Sequence, residues 1–145
     1  MRQVYINGGY LPETEAKISV FDRGFLFGDA VYEVTYVIDR KLVDYQGHMT
    51  RLRRSLGEID MSLPMTDADL LAVHRELVEL NNIDEGLVYL EITRGAADRD
   101  FIFPDASVSN TVVLFTQKKS LMNAPAATRG LKVLTVEDQR WARCD

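Results

Sequence analysis

The hydrophobic positions change their spacing several times along the chain, and each change marks an element. Residues 4–6 and 10–11 are short β-prone pieces around Asn7-Gly8-Gly9. That turn sequence tolerates positive φ, so a small hairpin is predicted. In residues 31–38 nearly every side chain is β-branched, aromatic or aliphatic; Asp39-Arg40 interrupts the run and residues 41–45 resume it, which predicts a second hairpin. Alternation places Tyr32, Val34, Tyr36 and Ile38 on one face, and Val31, Glu33, Thr35 and Val37 on the other. Glu33 and Thr35 mean that this second face is not simply dry core.

The spacing then becomes helical. In residues 46–59, Met49, Leu52, Leu56 and Ile59 recur three or four apart, while Arg51, Arg53, Arg54 and Glu58 occupy the other sides. Met61-Ser62-Leu63-Pro64 interrupts it. A second helix starts at Thr66 as N-cap, carries Asp67 and Asp69 where the helix dipole favours them, and runs through Leu70, Leu71, Val73, His74, Leu77 and Leu80 to Asn81-Asn82. His74 is read as a half-buried helix residue without a functional role.

Residues 87–93 and 111–117 read as strands, the second so continuously apolar that a central place in a sheet is expected. Two segments read as loops that are more than connectors. One is residues 94–110. The other is residues 22–29, Asp-Arg-Gly-Phe-Leu-Phe-Gly-Asp, where two glycines and three aromatics sit with three charges. Strands with two consecutive helices inserted between them give an α+β fold for a first domain at residues 1–120. Residues 121–128 have the composition of a linker, and residues 131–136 predict a new strand, so residues 129–145 read as the incomplete start of a second domain.

Composition narrows the class of function. The chain has 145 residues, 46% hydrophobic and 27% charged, with 17 basic against 22 acidic side chains and a net charge of −5. Such a balance gives no bulk electrostatic reason to hold nucleic acid or an anionic membrane, so an anionic ligand must be met by a few placed arginines. The single cysteine, Cys144, excludes an internal disulfide framework, and the N-terminus lacks the apolar core of a secretion signal. Both point to a cytoplasmic protein.

With only His48 and His74, the chain lacks the parts for a histidine metal cluster or a nucleophile triad, and no metal site is expected. It has no phosphate-binding glycine motif either. Arg51 beside the helix stripe and Arg99 in the long loop are the residues whose planar forks suit a phosphate or a carboxylate. An arginine on a helix is nonetheless most often a solvated charge, Arg99 has Asp98 and Asp100 as ready partners, and a strand tyrosine such as Tyr32 is most often a core aromatic.

Four ordered strings carry more. They are Asp22-Arg23-Gly24-Phe25-Leu26-Phe27-Gly28-Asp29-Ala30-Val31-Tyr32-Glu33, His48-Met49-Thr50-Arg51-Leu52, Tyr89-Leu90-Glu91-Ile92-Thr93-Arg94-Gly95, and Glu137-Asp138-Gln139-Arg140-Trp141-Ala142-Arg143-Cys144-Asp145. Together they resemble the fold-type IV pyridoxal-phosphate enzymes, and within them the D-amino-acid aminotransferases. The resemblance implies pyridoxal 5'-phosphate as cofactor, amino acid and 2-oxo acid as substrates, and a homodimer.

It also implies roles. Arg51 matches the arginine that grips the cofactor phosphate. Tyr32 matches the tyrosine that faces cofactor and substrate, and Arg99 the arginine that binds the substrate carboxylate, often delivered from the neighbouring subunit. Val34 and Tyr89 match pocket-lining positions. Phe101 stands where the D-amino-acid enzymes carry a carboxylate-holding histidine, and Asp100 adds a negative charge beside it. The Schiff-base lysine of the family would fall two residues beyond Asp145, so no catalytic residue is expected within these 145 residues. They are expected to be inactive alone, as the front part of a working enzyme. A branched-chain aminotransferase or aminodeoxychorismate lyase of the same fold, and a non-catalytic dimerisation or ligand-binding module, are the alternatives.

Overall fold

A computed structural model describes residues 1–120 and 122–140. Trp141 and Cys144, both in the last of the four strings, and Leu121 of the linker lie outside the described residues.

The first hairpin is β1 (Gln3–Ile6) and β2 (Gly9–Pro12), joined through Asn7 at φ 47° and Gly8 at φ 100°. Two consecutive positive φ values make the two-residue turn whose twist matches that of the strands. The Asn7 side chain also accepts from the Val112 amide at 2.7 Å, tying the turn to β6 (Thr111–Lys118).

Residues 22–29, expected as a loop, contain a single helical turn, α1 (Arg23–Phe27). Asp22 caps it by accepting from the Gly24 amide, and Gly28 closes it in the left-handed region at φ 66°. Neither end of so short a turn shows as hydrophobic periodicity.

The second hairpin is asymmetric. β3 (Ala30–Ile38) is a full strand, but its partner β4 (Lys41–Leu42) has two residues in place of the five expected. Asp39 and Arg40 make the turn at φ 49° and 62°, and Asp44 at φ 47° then bends the chain out of the ladder into α2 (Tyr45–Glu58). α3 (Asp67–Leu80) begins as predicted, with the Thr66 hydroxyl accepting from the Asp69 amide. β5 (Glu85–Thr93) and β6 complete one antiparallel sheet in the order β2-β1-β6-β5-β3-β4, with β6 internal as its apolar run predicts.

The helices α2 and α3 cover one face of this sheet. Leu52, Leu56, Leu70 and Leu77 from the helices pack with Val37, Val88, Leu90, Ile92 and Leu114 from the strands in one core. His74 belongs to that core: it is fully buried, where half burial was expected. Its Nδ1 bonds the Leu70 carbonyl at 2.8 Å and its ring meets Tyr45 edge-on at 5.1 Å.

Beyond β6 a short helix, α4 (Pro125–Arg129), occupies the second half of the segment read as a linker and ends one residue past it. Residues 131–136 form no strand, contrary to expectation, and Leu131, Val133, Leu134 and Val136 are exposed. β-branched composition alone does not make a strand; a ladder partner is needed, and no described strand pairs with this segment.

Candidate functional site

The sheet face that the helices leave open carries an aromatic row. Antiparallel register sets Val34 opposite Tyr89 and Tyr89 opposite Phe115, with Tyr32 opposite Glu91. The Tyr32 and Tyr89 rings stack at 5.7 Å between centroids, and those of Tyr89 and Phe115 at 4.8 Å. Arg2 extends the row with its guanidinium 5.9 Å from the Phe115 centroid. Three of the residues singled out in the sequence, Tyr32, Val34 and Tyr89, therefore share one surface.

Tyr89 is not a free phenol. Its hydroxyl donates to Glu91 at 2.9 Å, and burial together with that carboxylate pushes its pKa up to about 12. Tyr32 differs: it is 65% exposed, and its hydroxyl has no hydrogen bond among the described residues.

Arg51 projects from α2 on the covered side of β3. Glu33, 2% exposed, accepts from Arg51 Nε and Nη2 at 2.7 Å each and meets His48 Nδ1 at 2.8 Å. Burial pushes the Glu33 carboxyl up, but the hydrogen bonds from Arg51 and His48 outweigh it and hold the group below its ordinary value. The pairing uses one edge of the guanidinium. The side chain is 64% exposed, and its Nη1 has no partner among the described residues, so a fixed fork with free N–H donors remains for an anion. A phosphate ester fits that donor set. The Arg51 charge is also within electrostatic reach of the Tyr32 phenol.

Arg99 and Phe101 lie in the loop that follows β5, and no hydrogen bond, ion pair or ring contact among the described residues joins them to Tyr32, Arg51 or Tyr89. Among the same residues Arg99 forms no salt bridge with Asp98 or Asp100. Its guanidinium instead lies 5.2 Å from the Phe27 centroid and 5.1 Å from that of Phe101, on aromatic faces that leave its charge in place. Phe101 is 80% exposed.

The sequence reading missed the residues that hold these groups. Glu33 and His48 fix Arg51, and Arg23, Asp29 and Arg94 form a second ion cluster between α1 and the end of β5. Asp29 Oδ2 accepts from Arg23 Nε and Arg94 Nε at 2.8 Å each; burial raises its pKa, and the two arginines bring it below its ordinary value. The signal was the density of charges among glycines and aromatics in residues 22–29. Nothing in that string says that Arg94, sixty-five residues from Asp29, completes the cluster.

Residues 30–144 match the model of the family described as amino-transferase class IV. The chain belongs to that family. This class IV chain is 39% identical over 145 residues to the D-alanine aminotransferase of Staphylococcus haemolyticus, covering 100% of the chain and 51% of the relative. It thus spans about half the length of the curated relatives it matches.

Among solved structures, its fold is similar to the branched-chain amino acid aminotransferase from Escherichia coli. That likeness has a TM-score of 0.72 at 20% identity and covers 81% of the chain and 41% of the neighbour. The fold is also similar to 4-amino-4-deoxychorismate lyase from Pseudomonas aeruginosa, with a TM-score of 0.62 at 23% identity, over 81% of the chain and 40% of the neighbour. The α+β class IV fold expected from the sequence is the fold observed.

Proposed function

We propose that the whole protein is a pyridoxal-phosphate-dependent aminotransferase that exchanges an amino group between a D-amino acid, such as D-alanine, and a 2-oxo acid, as a cytoplasmic homodimer. The observation that carries it is the Arg51 fork, fixed by Glu33 on one edge and free on the other, in a chain 39% identical over its whole length to a D-alanine aminotransferase. When bound, the cofactor supplies the electron sink for the charge left on the substrate's α-carbon. Arg51 would hold its phosphate.

Tyr32 would present to the cofactor and substrate a hydroxyl with no partner among the described residues, and Val34 and Tyr89 would supply apolar and aromatic lining on the same open face of the sheet. Arg99 would take the substrate carboxylate. Its charge, unpaired among the described residues, supports that role, and its exposure is what reaching a neighbouring subunit's site requires. Because the carboxylate grip orients the α-carbon, Arg99 and Tyr32 bear on which enantiomer reacts.

Phe101 favours a second reading, a branched-chain substrate, since an exposed apolar ring stands where the D-amino-acid enzymes are expected to present a donor. One experiment separates the two. The full-length protein is presented with a panel of D- and L-amino acids and 2-oxo acids, and product formation is followed by chiral chromatography. D-Alanine turnover with Arg99→Ala raising KM sharply and leaving cofactor binding intact supports the main reading; turnover of L-branched-chain substrates alone replaces it.

A further inference from the structure

We propose that Asp29 is the positioning residue of the substrate-selecting loop, acting through Arg23, whose guanidinium holds the backbone on both sides of Phe101. The proposal rests on the aminotransferase reading above, in which Arg99 and Phe101 meet the substrate.

Arg23 is the first residue of α1, Asp29 lies six residues on, just past its end, and Arg94 follows the last residue of β5. Their side chains are only 4%, 9% and 11% exposed, so the charges must be satisfied inside the protein. Asp29 Oδ2 takes both Nε donors at 2.8 Å. That fixes the direction of each guanidinium and leaves its remaining donors to point elsewhere.

Arg94 turns inward, donating to the Ile59 carbonyl at 2.7 Å beyond the end of α2. Arg23 turns toward the loop, where Nη1 donates to the Asp100 carbonyl at 2.8 Å and to the Ile102 carbonyl at 3.4 Å. The residue between those two carbonyls is Phe101. The rings close the arrangement: Arg23 lies 4.7 Å from the Phe27 centroid, Arg94 lies 4.0 Å from that of Phe103, and Phe27 is tilted against Phe101 at 6.1 Å. Arg99 rests on the same Phe27 and Phe101 rings. One buried carboxylate thus sets the place of both residues that would select the substrate, without facing it.

Two variants of the full-length protein test this. Asp29→Asn removes the charge and keeps the shape; Arg23→Lys keeps the charge and loses the fork, and it serves where Asp29→Asn does not fold. In each, KM for the amino acid rises about tenfold with kcat within about twofold and cofactor affinity unchanged. A variant that only lost stability would lose active fraction and leave KM in place.

The second readout needs no activity. Trypsin cleavage after Arg99 accelerates about tenfold, with cleavage elsewhere unchanged, because the loop opens locally. Unchanged KM and unchanged cleavage after Arg99 overturn the proposal while leaving the aminotransferase reading intact. A wild-type protein that transfers no amino group removes that reading, and the tryptic rates then decide whether Asp29 positions the loop.

Discussion

The carboxylate of Glu33 and the guanidinium of Arg51 meet edge to edge, two hydrogen bonds of 2.7 Å, across the boundary between the sheet and α2. A buried acid therefore determines the direction in which an exposed cation presents its free donors. Glu33→Gln offers one carbonyl oxygen in place of two charged ones, so Arg51 loses the paired geometry. Affinity for pyridoxal phosphate should fall about tenfold, equivalent to about 1.4 kcal/mol. Titration of the cofactor-free protein checks it; unchanged affinity in Glu33→Gln alongside a large loss in Arg51→Ala would show that Arg51 needs no such support.

His74 predicts a pH dependence separate from that of the carboxylates. Burial pushes its pKa down to about 4, from an ordinary 6.5, against the opposing bond to Leu70. The unfolded chain takes up a proton that the folded one refuses, so stability is full above pH 6.5 and declines as pH falls toward 4. At 1.36 kcal/mol per unit the whole decline is roughly 3 kcal/mol. Glu33 and Asp29 act lower: both are held below their ordinary values in the folded protein, so their contribution is intact above those ordinary values and lost as pH falls from them through the depressed folded-state values. Denaturant midpoints measured from pH 7 to 4.5 should fall in the wild type and stay nearly level in His74→Gln.

Leu77 and Leu80 lie on one helix with opposite surroundings, at 0% and 43% exposure. Leu77→Ala opens a cavity between α3 and the sheet and should cost about 2–5 kcal/mol. Leu80→Ala should cost far less. Equal losses would mean that the sheet does not bear on α3 as the core packing shows.

At Gly24, α1 packs tightly against Thr93 of β5. A Cβ at this position would lie 2.5 Å from Thr93 Cγ2, so Gly24→Ala should destabilise by about 1–3 kcal/mol. Thr93→Ser removes that methyl and keeps the hydroxyl that donates to Asp22 at 3.1 Å. The double variant should recover part of the loss, as a double-mutant cycle measures. Additive losses would place the clash elsewhere.

What could be read from residue order was whatever depends on neighbours in sequence. The stripe Met49, Leu52, Leu56 and the Thr66 cap are local patterns, and both helices stand where they were expected. Period two placed Tyr32, Val34 and Tyr36 on one face, which the structure shows open. Asp44 in the left-handed region was invisible, because aspartate is common in turns of every type, and so β4 ends three residues early.

The four strings led to the family, and the family to Arg51, Tyr32 and Arg99. Only the tertiary structure decided what holds those residues. The partners of Arg51 and Arg23 are set by which face of the sheet the helices cover and where the loop after β5 returns, separations of 18 residues for Glu33 and Arg51 and 77 for Arg23 and Asp100. A salt bridge buried between elements has no period along the chain. It exists because desolvated charges must find one another once the core has closed.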